Sequence, residues 1–198
     1  MITVIDSGVA NLASVMGALQ RLKAEAVVTS DAATIRAASH VILPGVGAAP
    51  PAMAQLAAKN LVDVIRGLTQ PVLGICLGMQ ILFSRSDEGQ GGTPCLDLIK
   101  GEVKRMNGTP ESPVPHMGWN NITLRKPEHP LLRGLAPDSF VYFVHSFAAP
   151  VGDYTLATAD YGGAFTAMAA AGNFMGCQFH PERSSAVGSA ILQNFLRM

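Results

Sequence analysis

Cys76 lies in the run GICLGMQ (74–80), with a glycine two residues away on each side. A strand-like segment precedes this run, and a helical pattern follows it. Such glycines permit a sharp strand-to-helix turn that presents the side chain between them in a strained, exposed position. Free N–H groups at the start of the helix favour a thiolate and later an oxyanion. The alternative is an ordinary buried cysteine, but the flanking glycines favour a nucleophile.

A second candidate lies near the C-terminus, where the run FMGCQFHPE (174–182) predicts a strand that ends in His180-Pro181-Glu182. Side chains two residues apart on an extended segment lie on the same face. Glu182 can therefore fix the tautomer of His180 and stabilise its imidazolium, while His180 takes a proton from Cys76. The alternative is a strand-end histidine beside a solvated glutamate. Together with the cysteine turn, the pattern favours a Cys76–His180–Glu182 triad.

A third segment combines a predicted buried strand at 41–43 with the glycine-rich run PGVG (44–47). Backbone N–H groups of such a loop can bind a developing oxyanion, and each such donor contributes ~3–4 kcal/mol in other enzymes. The alternative is a tight turn without chemistry. No Gly-Lys-Ser/Thr sequence follows, so the loop lacks the phosphate-binding pattern.

The length and charge of the chain limit the function classes. A chain of 198 residues predicts one domain, 1–198, with a sizeable core. Charged residues make up 14%, below the usual ~25%, which hints at a face covered by a partner. The formal net charge is zero and no basic block occurs, which disfavours nucleic-acid binding. No run of about 18 apolar residues occurs, so membrane insertion is not indicated.

The cysteines, at positions 76, 95 and 177, form no disulfide framework. Reduced thiols in a cytoplasmic protein fit this usage best, and the N-terminus lacks the basic segment of a signal peptide. Cys177 and His180 are three residues apart, but no second pair of ligands accompanies them. We therefore expect neither a metal nor another cofactor.

The first half of the chain alternates between strand and helix patterns. The predicted strands are 2–6, 26–29, 41–43 and 72–75, and the predicted helices are 11–23, 53–66 and 77–84. This alternation predicts an α/β fold with an open, mainly parallel sheet and helices on both faces. Sites in such sheets lie at the carboxyl ends of the strands, where Asp6, the 44–47 loop and Cys76 converge.

The second half has shorter strand patterns separated by proline and glycine turns. The predicted strands are 103–106, 121–124, 140–147, 155–160 and 164–169, and a helix at 185–197 closes the chain. These strands are predicted to be antiparallel and to extend the sheet.

The 44–47 loop, the cysteine turn and the His-Pro-Glu sequence, in that order, resemble the class I (triad) glutamine amidotransferases, and the resemblance covers nearly the whole chain. Three further runs, SGVANLASV (7–15), PHMGWN (115–120) and YFVHSF (142–147), are similar to those of the glutaminase subunits of imidazole glycerol phosphate synthases. Met79 supports this subfamily, because the anthranilate and GMP synthase glutaminases usually have histidine there.

The resemblance implies that Cys76 attacks the side-chain amide of L-glutamine, giving a thioester and ammonia. His180 would be the base and acid, and Glu182 would orient it. Ammonia would pass to a separate cyclase subunit with a (βα)8-barrel fold in a heterodimer. That partner would make imidazole glycerol phosphate and aminoimidazole carboxamide ribotide in histidine biosynthesis.

The resemblance also implies further site residues. The expected oxyanion and substrate-binding residues are Gly45, Val46, Gly47, Leu77, Gln80, His145 and Ser146. The expected partner-interface residues are Asn11, Pro115, Met117, Trp119 and Asn120. Trp119 is the only tryptophan and lies in a polar stretch, 115–120, that predicts a loop; aromatic residues are enriched at interfaces. For His116 and His145 a core or interface position is the alternative to a ligand.

The chain departs from the family pattern at Ser7, Ala10, the run AAPP (48–51) and Arg183, the last of which replaces lysine. None of these departures alters the triad. Two other functions stay open at this point: an independent cysteine hydrolase acting on peptides or small amides, and a non-catalytic regulatory subunit. Gln80 and the His-Pro-Glu order favour the glutaminase, and the intact triad argues against the non-catalytic subunit.

Overall fold

The computed structural model describes residues 1–8 and 11–198. The strands are β1 Ile2–Ile5, β2 Ala26–Thr29, β3 His40–Gly45, β4 Val72–Cys76, β5 Phe83–Ser86, β6 Thr93–Pro94, β7 Ile99–Arg105, β8 His116–Leu124, β9 Ser139–His145, β10 Phe147–Ala148, β11 Thr155–Asp160, β12 Ala164–Ala171 and β13 Phe174–Cys177. The helices are α1 Leu12–Arg21, α2 Ala32–Ala37, α3 Ala49–Ala58, α4 Val62–Arg66, α5 Leu77–Gln80 and α6 Ser185–Phe195. Ala10, one of the departures from the family pattern, lies outside the described residues. Among the helices that are described, none is both long and apolar enough to cross a membrane.

In the described part of the chain, a nine-stranded sheet has the order β2-β1-β3-β4-β13-β12-β11-β8-β9. The first five strands in this order are parallel, and the remaining pairs are antiparallel. The predicted parallel sheet, extended by antiparallel strands from the second half, is thus confirmed. Strand β13 joins the two halves because it is parallel to β4 and antiparallel to β12.

Apolar side chains cover both faces of this sheet, as predicted. One core contains Val15 and Leu19 of α1 together with Ile191 and Phe195 of α6. The core on the opposite face contains residues of α2, α3, α4 and α5. Neighbouring residues of β3 alternate between the two cores, as the two-residue period of a strand requires.

The helix predicted at 53–66 is wrong in its bounds. Two helices, α3 and α4, occupy this region, and α3 begins before the predicted start. Pro50 and Pro51 lie in the first turn of α3, where the missing N–H costs nothing because no intrahelical partner exists there. Asn60 has a φ of 55° in the left-handed region and separates the two helices.

The helix predicted at 77–84 ends at Gln80, and the apolar run after it enters strand β5. Short apolar runs do not distinguish a strand from a buried helix by periodicity. Strand β5 pairs with β6 and β7 in a second, four-stranded sheet that also contains β10. The predicted strand 103–106 therefore belongs to this second sheet and does not extend the large one, and the predicted strand 140–147 divides into β9 and β10.

One more local prediction needs correction, and one helix was missed. The stretch 115–120 is not a loop, because residues from His116 onward form β8 and pair with β9. Helix α2 was not predicted from the sequence. It is only six residues long, but Asp31 caps it by accepting from the Thr34 backbone N–H at 2.7 Å.

Helix α5 lies unusually close to the strands beneath it. A Cβ atom on Gly78 would be 1.8 Å from the carbonyl oxygen of Leu43, and one on Gly74 would be 2.7 Å from the Gly78 backbone. A Cβ on Gly176 of β13 would be 2.4 Å from Cγ of Met79. The glycines around Cys76 are therefore required by this close approach, as the sequence pattern predicted.

The Gly78→Ala substitution should either prevent folding or lower the free energy of unfolding by about 3 kcal/mol or more, because the new methyl group meets backbone atoms that cannot move aside. Gly17→Ala on α1 is the matched control. Its nearest contact would be 3.7 Å away, at Nη1 of Arg21, and alanine in a helix should stabilise it by about 0.5–1 kcal/mol. Chemical denaturation measures the free energy of unfolding of each variant. Equal stabilities of the two variants would contradict the close approach as the reason for glycine at position 78.

Candidate active site

Cys76 occupies the turn between β4 and α5 in a strained conformation. Its φ is 54° and its ψ is −112°, in a region that residues with a Cβ rarely adopt. Sγ is 3.8 Å from the carbonyl oxygen of Val144 and 3.9 Å from Nε2 of Gln178. Helix α5 has only four residues, so its macrodipole is small, and N–H groups of its first turn are the positive end nearest the sulfur.

A cavity of about 490 Å³ opens over Cys76. Several predicted site residues line it: Val46, Gly47, Cys76, Leu77, Gln80, His145, Ser146 and His180. Pro115, predicted as an interface residue, also lines this cavity. The fold therefore brings together residues from five separate parts of the chain at one edge of the large sheet.

His180 and Glu182 form a close, buried pair. Nδ1 of His180 is 2.8 Å from Oε1 of Glu182. Burial lowers the pKa of His180, but the adjacent Cys76 and Glu182 outweigh burial and raise this pKa to about 10. Within the described residues, Nε2 of His180 has no hydrogen-bond partner, and the ring lines the cavity over Cys76. The carboxylate thus fixes the ring and leaves Nε2 free for a proton transfer.

The loop after β3 lies beside Cys76. Gly45 pairs with Cys76 in the sheet register, and a Cβ on Gly45 would be 2.9 Å from the backbone nitrogen of Gly78. Gly47 has a φ of 91°, which favours glycine. Gly45 does not line the main cavity; it borders a small adjacent one of about 10 Å³, together with Glu182 and Asn11.

Gln80 is almost completely buried, and its amide group makes two hydrogen bonds. Nε2 donates to the carbonyl oxygen of Phe147 at 2.8 Å and to Oε1 of Gln178 at 3.0 Å. Both amide hydrogens are therefore used inside the protein, which leaves Oε1 as the atom that can contact a molecule in the cavity. Ser146 lies between β9 and β10, beside the same cavity.

The predicted interface residues do not form a single cluster around the cavity. Met117 and Trp119 project from β8 and are 63% and 54% exposed. Together with Asn120 they line a surface groove of about 370 Å³, separate from the cavity over Cys76. Asn11 is the N-cap of α1, where Oδ1 accepts from the Ser14 backbone N–H at 3.3 Å.

Three polar or charged side chains near Cys76 were not predicted. Glu88 and Arg105 line the cavity with opposite charges, and Oε2 of Glu88 accepts from the Ala49 backbone N–H at 2.7 Å. Glu88 and Arg105 both come from the region around the second sheet. No local sequence pattern reveals where this sheet lies relative to Cys76. Gln178 lies inside the run 174–182, and the alternation of that strand could have indicated it.

Glu182→Gln should change the pH dependence of stability. Because the folded pKa of His180 is raised above its ordinary 6.5 to about 10, protonated His180 contributes stability that is full below pH 6.5 and is lost as the pH rises towards 10. Because Cys76 also raises this pKa, the substitution should remove only part of this contribution: it should lower the free energy of unfolding at pH 6.5 by an amount on the order of 1–2 kcal/mol, and by much less at pH 10. Denaturation at both pH values tests this, with the exposed Glu25→Gln as control. A pH-independent difference would contradict the assignment.

Solved structures of low sequence identity share the fold. A putative GMP synthase subunit from Thermoplasma acidophilum matches with a TM-score of 0.76 and 18% identity, covering 99% of this chain and 92% of that chain. A crystal structure of a glutamine amidotransferase matches with a TM-score of 0.75 and 18% identity, covering 99% and 97%. At this identity the likeness shows the architecture alone.

Sequence comparisons identify the family. The family model for glutamine amidotransferase class-I matches residues 3–198. The imidazole glycerol phosphate synthase subunit HisH of Shewanella oneidensis is 50% identical, covering 100% of this chain and 96% of that protein. The protein of the same name from Vibrio cholerae is 46% identical, covering 100% and 98%. The chain therefore belongs to the class-I glutamine amidotransferase family.

Proposed function

We propose that this protein is the glutaminase subunit of an imidazole glycerol phosphate synthase. It hydrolyses L-glutamine to glutamate and ammonia and delivers the ammonia to a cyclase partner in histidine biosynthesis. Full-length relatives that carry this name, at 46–50% identity, support the proposal. The observation that carries it is the strained Cys76, which shares one cavity with His180 while Glu182 is bonded to the far side of that ring.

In the proposed reaction, the proton of the Cys76 thiol already resides on Nε2 of His180, in keeping with the raised pKa of this ring, and Sγ attacks the side-chain amide carbon of glutamine as a thiolate. His180 then donates the proton to the departing nitrogen, so that ammonia leaves and a thioester remains. His180 next accepts a proton from water, and the resulting hydroxide attacks the thioester. The C–S bond breaks, glutamate leaves, and Sγ departs as a thiolate beside the protonated His180, which restores the starting state.

Backbone N–H groups are the proposed oxyanion donors. Leu77 follows Cys76 directly, and the 44–47 loop borders the same cavity at Val46 and Gly47. Losing one such donor costs ~10²–10³ in rate. Because glycine allows two orientations of a peptide unit, a partner that binds one arrangement better can raise the activity.

The charges in the cavity suit the amino-acid end of glutamine. Glu88 can bind an ammonium group, and Arg105 can bind a carboxylate. Oε1 of Gln80 can accept a hydrogen bond from the substrate, and the Ser146 hydroxyl can donate or accept one. These groups support a free α-amino acid as substrate over a peptide, in which the ammonium and carboxylate are absent.

We propose that the partner is a (βα)8-barrel cyclase and that it binds the surface containing Met117, Trp119 and Asn120, with Pro115 and Asn11 nearer the active-site cavity. Exposed apolar side chains clustered on one strand are typical of protein interfaces. We expect the heterodimer to act in the cytoplasm, where the three free cysteines would stay reduced.

Cys76→Ala should lower glutamine-dependent synthesis by the complex at least ~10⁴-fold, because it removes the nucleophile. Synthesis from added ammonia should be unchanged, because the chemistry of the cyclase does not need this thiol. The matched control is Cys95→Ala. Burial raises the pKa of Cys95 to about 11, and Cys95 does not line the cavity.

A glutamine-analogue electrophile, with the adduct mapped by mass spectrometry, completes this test. Label on Cys76 in both wild type and Cys95→Ala is expected. Label on Cys95 or Cys177 alone would overturn the assignment. Ammonia release should also be compared for the chain alone and with its partner, since full turnover without the partner would favour a stand-alone amidase.

Trp119→Ala should weaken assembly with the cyclase about 10-fold or more, because exposed tryptophans at interfaces often contribute about 2 kcal/mol or more to binding. Titration of the labelled cyclase measures this dissociation constant. Val151→Ala is the control, since Val151 is another exposed apolar residue at 39% exposure and does not line the Trp119 groove. Equal affinity of Trp119→Ala and wild type would show that this groove is not the contact surface.

A further inference from the structure

Two buried histidines face each other beneath the outer strands of the large sheet. His116 of β8 and His145 of β9 are register partners and are 2% and 6% exposed. Nδ1 of His116 is 3.0 Å from Nε2 of His145. Nδ1 of His145 is 2.9 Å from the carbonyl oxygen of Phe147. Only His145 lines the cavity over Cys76; the ring of His116 lies behind it.

The acceptors in this chain of contacts determine where the protons lie. A carbonyl oxygen can only accept, so Nδ1 of His145 carries a hydrogen. In the neutral ring Nε2 of His145 is then an acceptor, and Nδ1 of His116 must be the donor. Burial lowers the pKa of both histidines to about 4, so both rings are neutral near pH 7. Each ring therefore has one tautomer that satisfies its contacts.

The Phe147 carbonyl connects this pair to the active site. It accepts a second hydrogen bond, from Nε2 of Gln80 at 2.8 Å. Gln80 also donates to Gln178, and Nε2 of Gln178 is 3.9 Å from Sγ of Cys76. The orientation of the Gln80 amide, which faces the cavity, thus depends on a carbonyl that His145 also holds.

The other end of this series of polar contacts reaches the surface of β8. Nδ2 of Asn120 is 3.5 Å from Nε2 of His116 and donates to the carbonyl oxygen of Asp160 at 2.8 Å. Asn120 follows the exposed Trp119. This series of polar contacts therefore runs from the groove containing Trp119 to the side chains around the thiol.

We propose that His116 is a positioning residue for the glutaminase site. By donating from Nδ1 to Nε2 of His145, it holds the tautomer of His145 that donates to the Phe147 carbonyl, and thereby fixes the Gln80 amide beside Cys76. This role rests on the proposed glutaminase function. Without the donor, Nε2 of His145 is buried without a partner, which costs free energy. The His145 ring then turns so that Nε2 reaches another donor, and the Phe147 carbonyl loses one of its two donors.

Two substitutions separate this role from packing. The ring of His116 stacks on Tyr161 at a centroid distance of 4.0 Å and on Phe143 at 4.8 Å. His116→Phe keeps a flat ring for this stacking and removes the donor. His116→Asn loses the ring but keeps an N–H donor at the δ position. A purely structural role predicts that Phe is tolerated better than Asn, whereas the positioning role predicts the reverse.

The experiment uses the complex with the cyclase. His116→Phe should lower kcat/KM for glutamine about 10- to 100-fold, and His116→Asn should restore most of this loss. Synthesis from ammonia should be equal for all three proteins. Wild-type activity of His116→Phe, or an equal or larger loss for His116→Asn, would overturn the proposal. Absence of glutaminase activity in the wild-type complex would instead refute the proposed function.

A second measurement does not depend on activity or on the variants folding. Nitrogen NMR of ¹⁵N-histidine-labelled wild-type chain distinguishes a protonated ring nitrogen from an unprotonated one. His145 and His116 should both carry hydrogen on Nδ1 and none on Nε2 at neutral pH. Hydrogen on Nε2 of His145 would overturn the proposal, even if His116→Phe does not fold.

Discussion

The close approach of α5 to the strands beneath it is the constraint on which the site depends. Gly74 and Gly78 let the backbone of α5 lie against β3 and β4, and Gly176 leaves room for Met79. Because the chain must reverse direction within one residue, Cys76 takes a positive φ and its thiol enters the cavity. The strain at this residue is maintained by buried strands on both sides, which leave the backbone no alternative path.

The buried imidazole rings around the cavity differ in their protonation state. The groups beside each ring determine whether its charged or its neutral form is the more stable. His180 lies against a carboxylate, so its charged form is favoured despite burial. His145 and His116 lie against a carbonyl, each other and aromatic rings, so burial keeps them neutral. One group of a few side chains therefore contains both a ring suited to proton transfer and rings suited to fixed hydrogen bonding.

The antiparallel half of the sheet links the surface to the chemistry. Strand β8 presents Trp119 to solvent on one face and His116 to the interior on the other, as the two-residue period of a strand requires. Pro115, just before this strand, lines the cavity itself. A partner that covers β8 would therefore lie a short distance from the thiol, at the outer end of a series of polar contacts that leads to it. This arrangement suits a protein whose product, ammonia, should not escape into water.

The sequence by itself determined the parts whose reasons are local. The glycines beside Cys76, the His180–Glu182 spacing and the alternation of strands and helices predicted the turn, the adjacent pair and the mainly parallel sheet, because each rests on short-range sterics or strand period. Only the tertiary structure decided which distant groups meet. Glu88, Arg105 and the His116–His145 pair come together through the second sheet and the β8–β9 register, and no local pattern encodes pairings between segments so far apart in the chain.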